Sequence, residues 1–314
     1  MDSRGLIIGM IILLQTTVGI LGNFFLLSHY LILYYHECSL KTTDLILKHL
    51  TMANTLIILS KGVSHIMTAF GLKEFISEIG CRFSLYVQRV GRSMSIGSTC
   101  ILSVFQAITI SPRSSDWKGL KTKAPKYIGL FLSLCWILYL IVNIIFPIYL
   151  LNKKVKSQNM TKAKSFEYCS PGDRDGIMDS LYMALFVFPE VLFSVLILWS
   201  NGFMVVILYR HKKQVQHIHS TNVSFRASPE SRASCTILIL VSFFLTFYTL
   251  SSILNACIAF LNSPSWWLVN INNIISMCFP SFGTLVLMNN APTFSRFCFI
   301  WIRNKKSPNF KVAM

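Results

Sequence analysis

One apolar run in the chain, residues 83–110, is long enough to cross a membrane and yet contains two arginines, Arg89 and Arg92. A helix rises about 1.5 Å per residue, so roughly 20 residues cross a hydrocarbon layer about 30 Å thick. A charged side chain that faces this layer costs about 3 kcal/mol. Both arginines must therefore face protein or water, and we expect this helix to lie inside a bundle.

The composition indicates a polytopic membrane protein. Of the 314 residues, 53% are hydrophobic and only 13% are charged, whereas soluble domains carry about 25% charged residues. The net charge of +17 comes from basic residues in short loops between apolar runs, which gives no reason to expect nucleic-acid binding. The nine cysteines form no Cys-x-x-Cys pair and no zinc-ligand spacing, so no metal site is expected.

Seven apolar runs predict one all-α domain, residues 1–314, folded as a seven-transmembrane helix bundle. The runs cover approximately residues 5–35, 45–63, 83–110, 127–151, 179–208, 233–261 and 266–288. Gly22-Asn23 places an amide inside the bilayer, where an interhelical hydrogen bond is the usual reason for it. An amphipathic pattern after the seventh run predicts a short interfacial helix at about residues 292–303, whose Cys298 either packs or carries a palmitoyl chain.

Basic residues are distributed unequally between the two sides of the predicted bundle. Sixteen Lys and Arg residues lie in loops and a tail that are cytoplasmic when the N-terminus is outside, against eight on the opposite side. The positive-inside rule therefore predicts an outside N-terminus. The loop between the fourth and fifth runs is then extracellular, and it contains Cys169 and a predicted glycosylation site at Asn159, in the sequon Asn159-Met160-Thr161.

A seven-helix bundle with Cys81 at the top of the third helix and Cys169 in the second outer loop resembles the rhodopsin-like G-protein-coupled receptor plan. More specifically, residues 209–233, 236–242 and 247–253 resemble the cytoplasmic loop and sixth helix of the type-1 vomeronasal receptors. Further matching segments are DLILKHLT at 44–51, VQRVGRS at 87–93, SVFQAITISP at 103–112, SPSWWLVN at 263–270 and CFIWIRNKKSP at 298–308. The resemblance covers nearly the whole chain.

This resemblance implies a chemosensory receptor in the plasma membrane of vomeronasal sensory neurons. Such a receptor detects pheromones or related small molecules, activates a heterotrimeric G protein of the inhibitory class and uses no cofactor. The resemblance also implies a disulfide between Cys81 and Cys169. The chain departs from the broader rhodopsin-like pattern at residues 106–108, where QAI replaces Asp/Glu-Arg-Tyr, and at residues 279–283, where FPSFG replaces Asn-Pro-x-x-Tyr. The usual ionic lock and sodium site are therefore not expected.

The candidate ligand site lies on the third helix. Leu85, Gln88, Arg89 and Arg92 occupy an arc of about 100° at 100° per residue, and they face one side of the helix. In the outer half of the bundle they could line a cavity for anionic or hydrogen-bond-accepting molecules. The alternative is an internal, purely structural pair between an arginine and Glu190, the only acid deep in any run. Both interpretations remain open.

The candidate G-protein contact is the basic loop between the fifth and sixth helices, together with the inner end of the third helix. Its charge could instead attract anionic lipid of the inner leaflet. Ser228-Pro229-Glu230 has the pattern of a helix start and predicts a cytosolic extension of the sixth helix. The candidate contact residues are Gln106, Arg210, His211, Lys212, Lys213, Arg226 and Arg232.

No catalytic motif is present, so no enzymatic function is predicted. The sequence contains no His-Glu-x-x-His, no Gly-x-Ser-x-Gly and no phosphate-binding glycine loop. A small-molecule transporter or channel is the alternative to a receptor, although the repeated halves of many transporters are not found.

We predict that Cys81→Ala or Cys169→Ala abolishes delivery of the protein to the cell surface, because either change removes the disulfide that the resemblance implies. Surface labelling of an epitope-tagged chain measures this. The outcome that contradicts the prediction is normal surface delivery with an unaltered ligand response in both variants.

Overall fold

The computed structural model describes residues 3–37, 41–69, 78–111, 115–145, 188–218, 229–260 and 265–290. Within these ranges the chain is helical and contains no strand. The helices are α1 (Ser3–Glu37), α2 (Thr42–Ile57, continued by a π-helical stretch Ile58–Gly62 and by Val63–Ala69), α3 (Glu78–Ile110), α4 (Ser115–Asn143), α5 (Phe188–Ile218), α6 (Pro229–Phe260) and α7 (Trp266–Asn290). They form an all-α seven-transmembrane bundle, which confirms the predicted fold class.

Six of the described helices, α1 and α3 to α7, are long and apolar enough to cross a membrane. The exception is α2, because its first part has only 16 residues before the π-helical stretch begins. The three consecutive parts of α2 nevertheless follow one another without a break from Thr42 to Ala69. At about 1.5 Å per residue this length is sufficient to cross the bilayer.

Several helices extend beyond their predicted ends, and two of them, α4 and α5, do so by ten residues or more into polar sequence. The helix α4 begins at Ser115 rather than near residue 127, and α5 continues to Ile218 rather than ending near residue 208. Hydropathy marks only the part of a helix that lies in the hydrocarbon, so basic extensions of this kind carry no apolar signal. The start of α6 at Pro229 agrees with the predicted helix start. Residues 179–187 of the predicted fifth helix and the interfacial helix at 292–303 lie outside the described residues.

The helix α3 lies inside the bundle, as its arginines predicted. In the most apolar segment of α3, 61% of the residues are buried, against 11% in the corresponding segment of α4.

Hydrogen bonds between side chains and neighbouring helices join the bundle at two places. The predicted interhelical hydrogen bond of Asn23 is confirmed, because its Nδ2 donates to the carbonyl of Pro280 on α7 at 2.9 Å. Ser95 on α3 donates to Asn54 Oδ1 on α2 at 3.1 Å, which ties these two helices together.

The backbones of α2 and α3 approach closely at Gly91. A Cβ atom added there would lie 3.0 Å from the carbonyl oxygen of Ala53 and 3.0 Å from Ile57 Cγ1. The carbonyl belongs to helical backbone and cannot rotate away, so only glycine lets the two helices pack at this distance.

We predict that Gly91→Val destabilises the bundle by about 1–3 kcal/mol, because the larger side chain forces α2 and α3 apart. The matched control is Gly202→Val on α5, where an added Cβ meets no atom within 4 Å. Thermal unfolding of the detergent-solubilised protein measures both. Equal loss of stability in the two variants would rule out close packing at Gly91 as the cause.

Candidate functional site

A single guanidinium connects three helices in the centre of the bundle. Arg92, on α3, donates from Nε to Glu190 Oε1 on α5 at 3.2 Å. Its two terminal nitrogens donate to α6, from Nη1 to Ser251 Oγ at 3.2 Å and from Nη2 to Ser252 Oγ at 2.7 Å. Each of the three nitrogens of the guanidinium therefore has an acceptor, and the helices α3, α5 and α6 are joined at this point.

An aromatic side chain completes the environment of Arg92. The ring of Tyr248 lies under the guanidinium, with 4.2 Å between the central carbon and the ring centroid. Such a cation–π contact contributes about 0.5–1 kcal/mol at exposed sites and about 2 kcal/mol or more where water is excluded. Tyr248 stacks on Phe244, which in turn packs edge-on against Phe279 of α7. The polar network thus lies on an aromatic layer that belongs to the core.

The Arg92–Glu190 pair is partly buried, because 22% of the arginine side chain and 27% of the glutamate side chain remain exposed. Fully exposed ion pairs contribute about 0–1 kcal/mol, whereas loss of one partner from a fully buried pair costs about 3–5 kcal/mol. The remaining exposure places this pair between the two limits. We therefore expect the pair to stabilise the packing of α3 against α5 by an amount between these limits. Its exposed part faces a space that water can reach.

That space is a cavity beside Arg92 with a volume of about 30 Å³. It is lined by Lys61 and Arg92, by glutamine and serine side chains, and by an apolar wall that includes Phe244, Phe247 and Phe279. A volume of this size holds one or two water molecules. Sites for small organic ligands have about 300–1,000 Å³. A ligand can therefore enter only if the helices around the cavity move apart.

A second cation at the cavity, Lys61, is more deeply buried than Arg92 and was not identified from the sequence. It lies in the π-helical stretch of α2 with 6% of its surface exposed, and its Nζ donates to Ser276 Oγ on α7. Ser276 Oγ donates in turn to the carbonyl of Asn273 at 3.0 Å. A lysine within the second apolar run was the available signal, since charged residues inside membrane segments are rare and usually functional.

The predicted ligand-site residues are only partly brought together. Gln88 and Arg92 line the cavity, and Glu190 is joined to it through Arg92. Leu85 and Arg89 are partly buried on the same helix but are not among the residues that line the cavity. The arginine–glutamate pair, one of the two interpretations of this site, is present in the structure. Ligand binding by these residues stays a prediction.

The predicted residues at the two membrane surfaces are partly described. Cys81 is disulfide-bonded, whereas its predicted partner Cys169 and the predicted glycosylation site Asn159 lie outside the described residues. On the cytoplasmic extension of α5, Arg210 and Lys213 are exposed, while Gln106 on α3 is buried. His211 and Lys212 lie on the same extension and Arg232 lies in α6, whereas Arg226 is outside the described residues.

In the part of the chain that the structure describes, no group of three His, Cys, Asp or Glu residues could hold a metal ion.

Comparison with known proteins identifies the family. The model of the vomeronasal organ pheromone receptor family matches residues 6–300. Vomeronasal type-1 receptor 4 of Homo sapiens is 49% identical over 303 residues, which are 96% of this chain and 100% of that protein. Vomeronasal type-1 receptor 3 of Homo sapiens is 50% identical over 297 residues, or 94% of each chain. Vomeronasal type-1 receptor 45 of Mus musculus is 34% identical over 264 residues, 81% of this chain and 80% of that one.

The bundle, its buried basic site and these matches lead to one conclusion. The matches extend over nearly the full length of both chains, and the family model extends from α1 to α7. The chain belongs to the vomeronasal type-1 receptor family of chemosensory G-protein-coupled receptors, and it is a multi-pass protein of the plasma membrane.

Proposed function

We propose that this receptor binds pheromone-like small molecules in the outer half of the bundle, at the cavity beside Arg92, and activates a heterotrimeric G protein of the inhibitory class. One observation carries the proposal, namely that Arg92 lines a cavity and at the same time joins α3, α5 and α6. A molecule larger than the cavity must move the helices that these contacts join. Its binding energy is then coupled to the relative positions of the three helices.

The cytoplasmic extensions of α5 and α6 are suited to pass such a movement on. The helix α5 continues to Ile218 and α6 begins at Pro229, so both helices reach beyond the membrane. Their exposed basic side chains, including Arg210 and Lys213, are candidates for contact with the G protein. Because a ligand shifts an equilibrium only by its differential affinity for two states, ligand binding must favour an arrangement of α3, α5 and α6 that differs from this one.

The direct experiment is a G-protein activation screen of the expressed receptor against steroid, volatile and urinary fractions. We expect at least one fraction to evoke a response that disappears when inhibitory-class G proteins are blocked with pertussis toxin. Uptake of labelled substrate that is insensitive to this block would identify a transporter instead. Cells that express the receptor with no response to any fraction would count against the proposal.

We predict that Arg92→Ala impairs the agonist response while part of the protein still reaches the cell surface. The substitution removes the joint between α3, α5 and α6, so binding no longer moves α5 and α6 together. Concentration–response curves normalised to surface receptor measure this effect. Complete loss of folding would instead favour a purely structural role for the arginine.

A milder pair of variants on α6 provides the matched control. Ser252→Ala removes the 2.7 Å hydrogen bond to Arg92, whereas Ser242→Ala removes only a bond to the carbonyl of Leu238 on the exposed side of the same helix. We expect Ser252→Ala to change the agonist potency about 3- to 10-fold, because a typical hydrogen bond contributes about 0.5–1.5 kcal/mol net and water can partly replace this one. Ser242→Ala should leave the potency unchanged.

A further inference from the structure

We propose that Lys61, rather than Arg92, anchors the ligand, and that the ligands of this cavity are organic molecules with one anionic group and an apolar body. The inference rests on the proposed function, since it names the ligand class for the same cavity. It follows from the charges around the cavity, from the hydrogen-bond donors that are already in use, and from the way α2 holds the lysine in place.

The charges on and beside the cavity do not balance. Two cations, Lys61 and Arg92, line it, and Glu190 is engaged by Arg92 at 3.2 Å. In the described residues no carboxylate lies within 4.0 Å of the Lys61 ammonium group. Burial without a charged partner disfavours the ammonium form of a lysine, and an anion that enters the cavity stabilises that form. Because Glu190 is taken by Arg92, the ammonium form of Lys61 is matched by a ligand with a single negative group.

The donors of the two cations are used to different extents. Arg92 already donates to Glu190 and to two serines, so an incoming acceptor must compete with the protein for it. The ammonium group of Lys61 has three N–H donors. Among the described residues its one hydrogen bond goes to Ser276 Oγ, a neutral acceptor. Lys61 can therefore bind an anionic oxygen without breaking an ion pair of the protein.

The position of Lys61 is fixed by close packing of the following residue. At Gly62 an added Cβ would lie 2.6 Å from Thr16 Cγ2 and 3.2 Å from Met277 Cε, so α2 lies directly against α1 and α7 there. The π-helical stretch Ile58–Gly62 carries Lys61 immediately before this contact. Local π-helical turns of this type occur frequently at functional sites. The backbone of Lys61 is thus fixed beside the cavity, and the hydrogen bond to Ser276 positions its ammonium group.

The rest of the lining favours an apolar ligand body. Phe244, Phe247 and Phe279 form one wall of the cavity, and Ile57 and Ile275 add aliphatic surface. A small inorganic anion would leave this surface in contact with water once the cavity opens. An organic anion covers it, so the apolar area and the ammonium group together select an amphiphilic acid.

The test compares acids with alcohols of the same skeleton on purified, detergent-solubilised receptor without a G protein. The probes are 4-phenylbutyrate, 6-phenylhexanoate and 8-phenyloctanoate, each beside its primary alcohol. Their dissociation constants follow from the concentration dependence of the melting temperature. We expect at least one acid to bind about tenfold more tightly than its alcohol, as a hydrogen bond to a charged group allows.

Substitutions at Lys61 locate the effect. Lys61→Gln and Lys61→Met remove the charge and should bring the acid-to-alcohol ratio close to one, whereas Lys61→Arg should keep most of the preference. An equal affinity for acid and alcohol in every probe pair overturns the inference, as does an unchanged preference in both neutral variants. If neither neutral variant folds, Arg92→Gln decides: an acid preference that survives this change supports Lys61 as the anchor, and a preference that disappears overturns the inference.

The outcomes separate this inference from the proposed function. Alcohols that activate the G protein as well as the acids, with no acid preference in binding, would refute the anionic ligand class and leave the receptor function intact. Acids that bind through Lys61 while no probe or fraction activates a G protein would support the site and contradict the proposed signalling.

Discussion

The need to surround a guanidinium inside a membrane determines how the centre of this receptor is built. Arg92 meets that need with a carboxylate from α5, two hydroxyls from α6 and the face of an aromatic ring. Each partner comes from outside α3, so the charge is stabilised only when the three helices are assembled. A charge inside the bundle is stable only while its partners are in place. Any change in the partners of Arg92 therefore also changes how α3, α5 and α6 pack together. Stability of the bundle and its response to a ligand therefore depend on one group of contacts.

The two cations that line the cavity, Lys61 and Arg92, have different roles in our account. Arg92 is held by the protein and connects the helices, while Lys61 has one neutral partner among the described residues and faces the same cavity. A ligand acid that binds Lys61 enters the cavity that Arg92 also lines, and it need not break the ion pair between Arg92 and Glu190. The cavity of about 30 Å³ is too small for such a ligand. Entry must therefore coincide with separation of the surrounding helices, and binding and conformational change are then one event.

Much of this architecture was predictable from the sequence, and the failures have physical reasons. Apolar runs predicted the seven helices. The two arginines in the third run predicted its interior position, because a charged side chain that faces lipid has a high free-energy cost. Lys61 was missed because it lies near the outer end of an apolar run, where a long side chain can ordinarily reach water. Ser251 and Ser252 carried no signal, since serine is common in membrane helices and its partner is 159 or 160 residues away. The π-helical stretch has no recognisable sequence pattern.

The central claim is that Arg92 and Glu190 act as one coupled unit between α3 and α5. A double-mutant cycle with Arg92→Gln, Glu190→Gln and the combined variant, followed by thermal unfolding of the solubilised receptor, tests it most directly. We expect the double variant to be little less stable than either single variant, with a coupling free energy of about 1 kcal/mol or more. Effects that simply add would contradict the claim, because they would show that the two side chains stabilise the bundle independently.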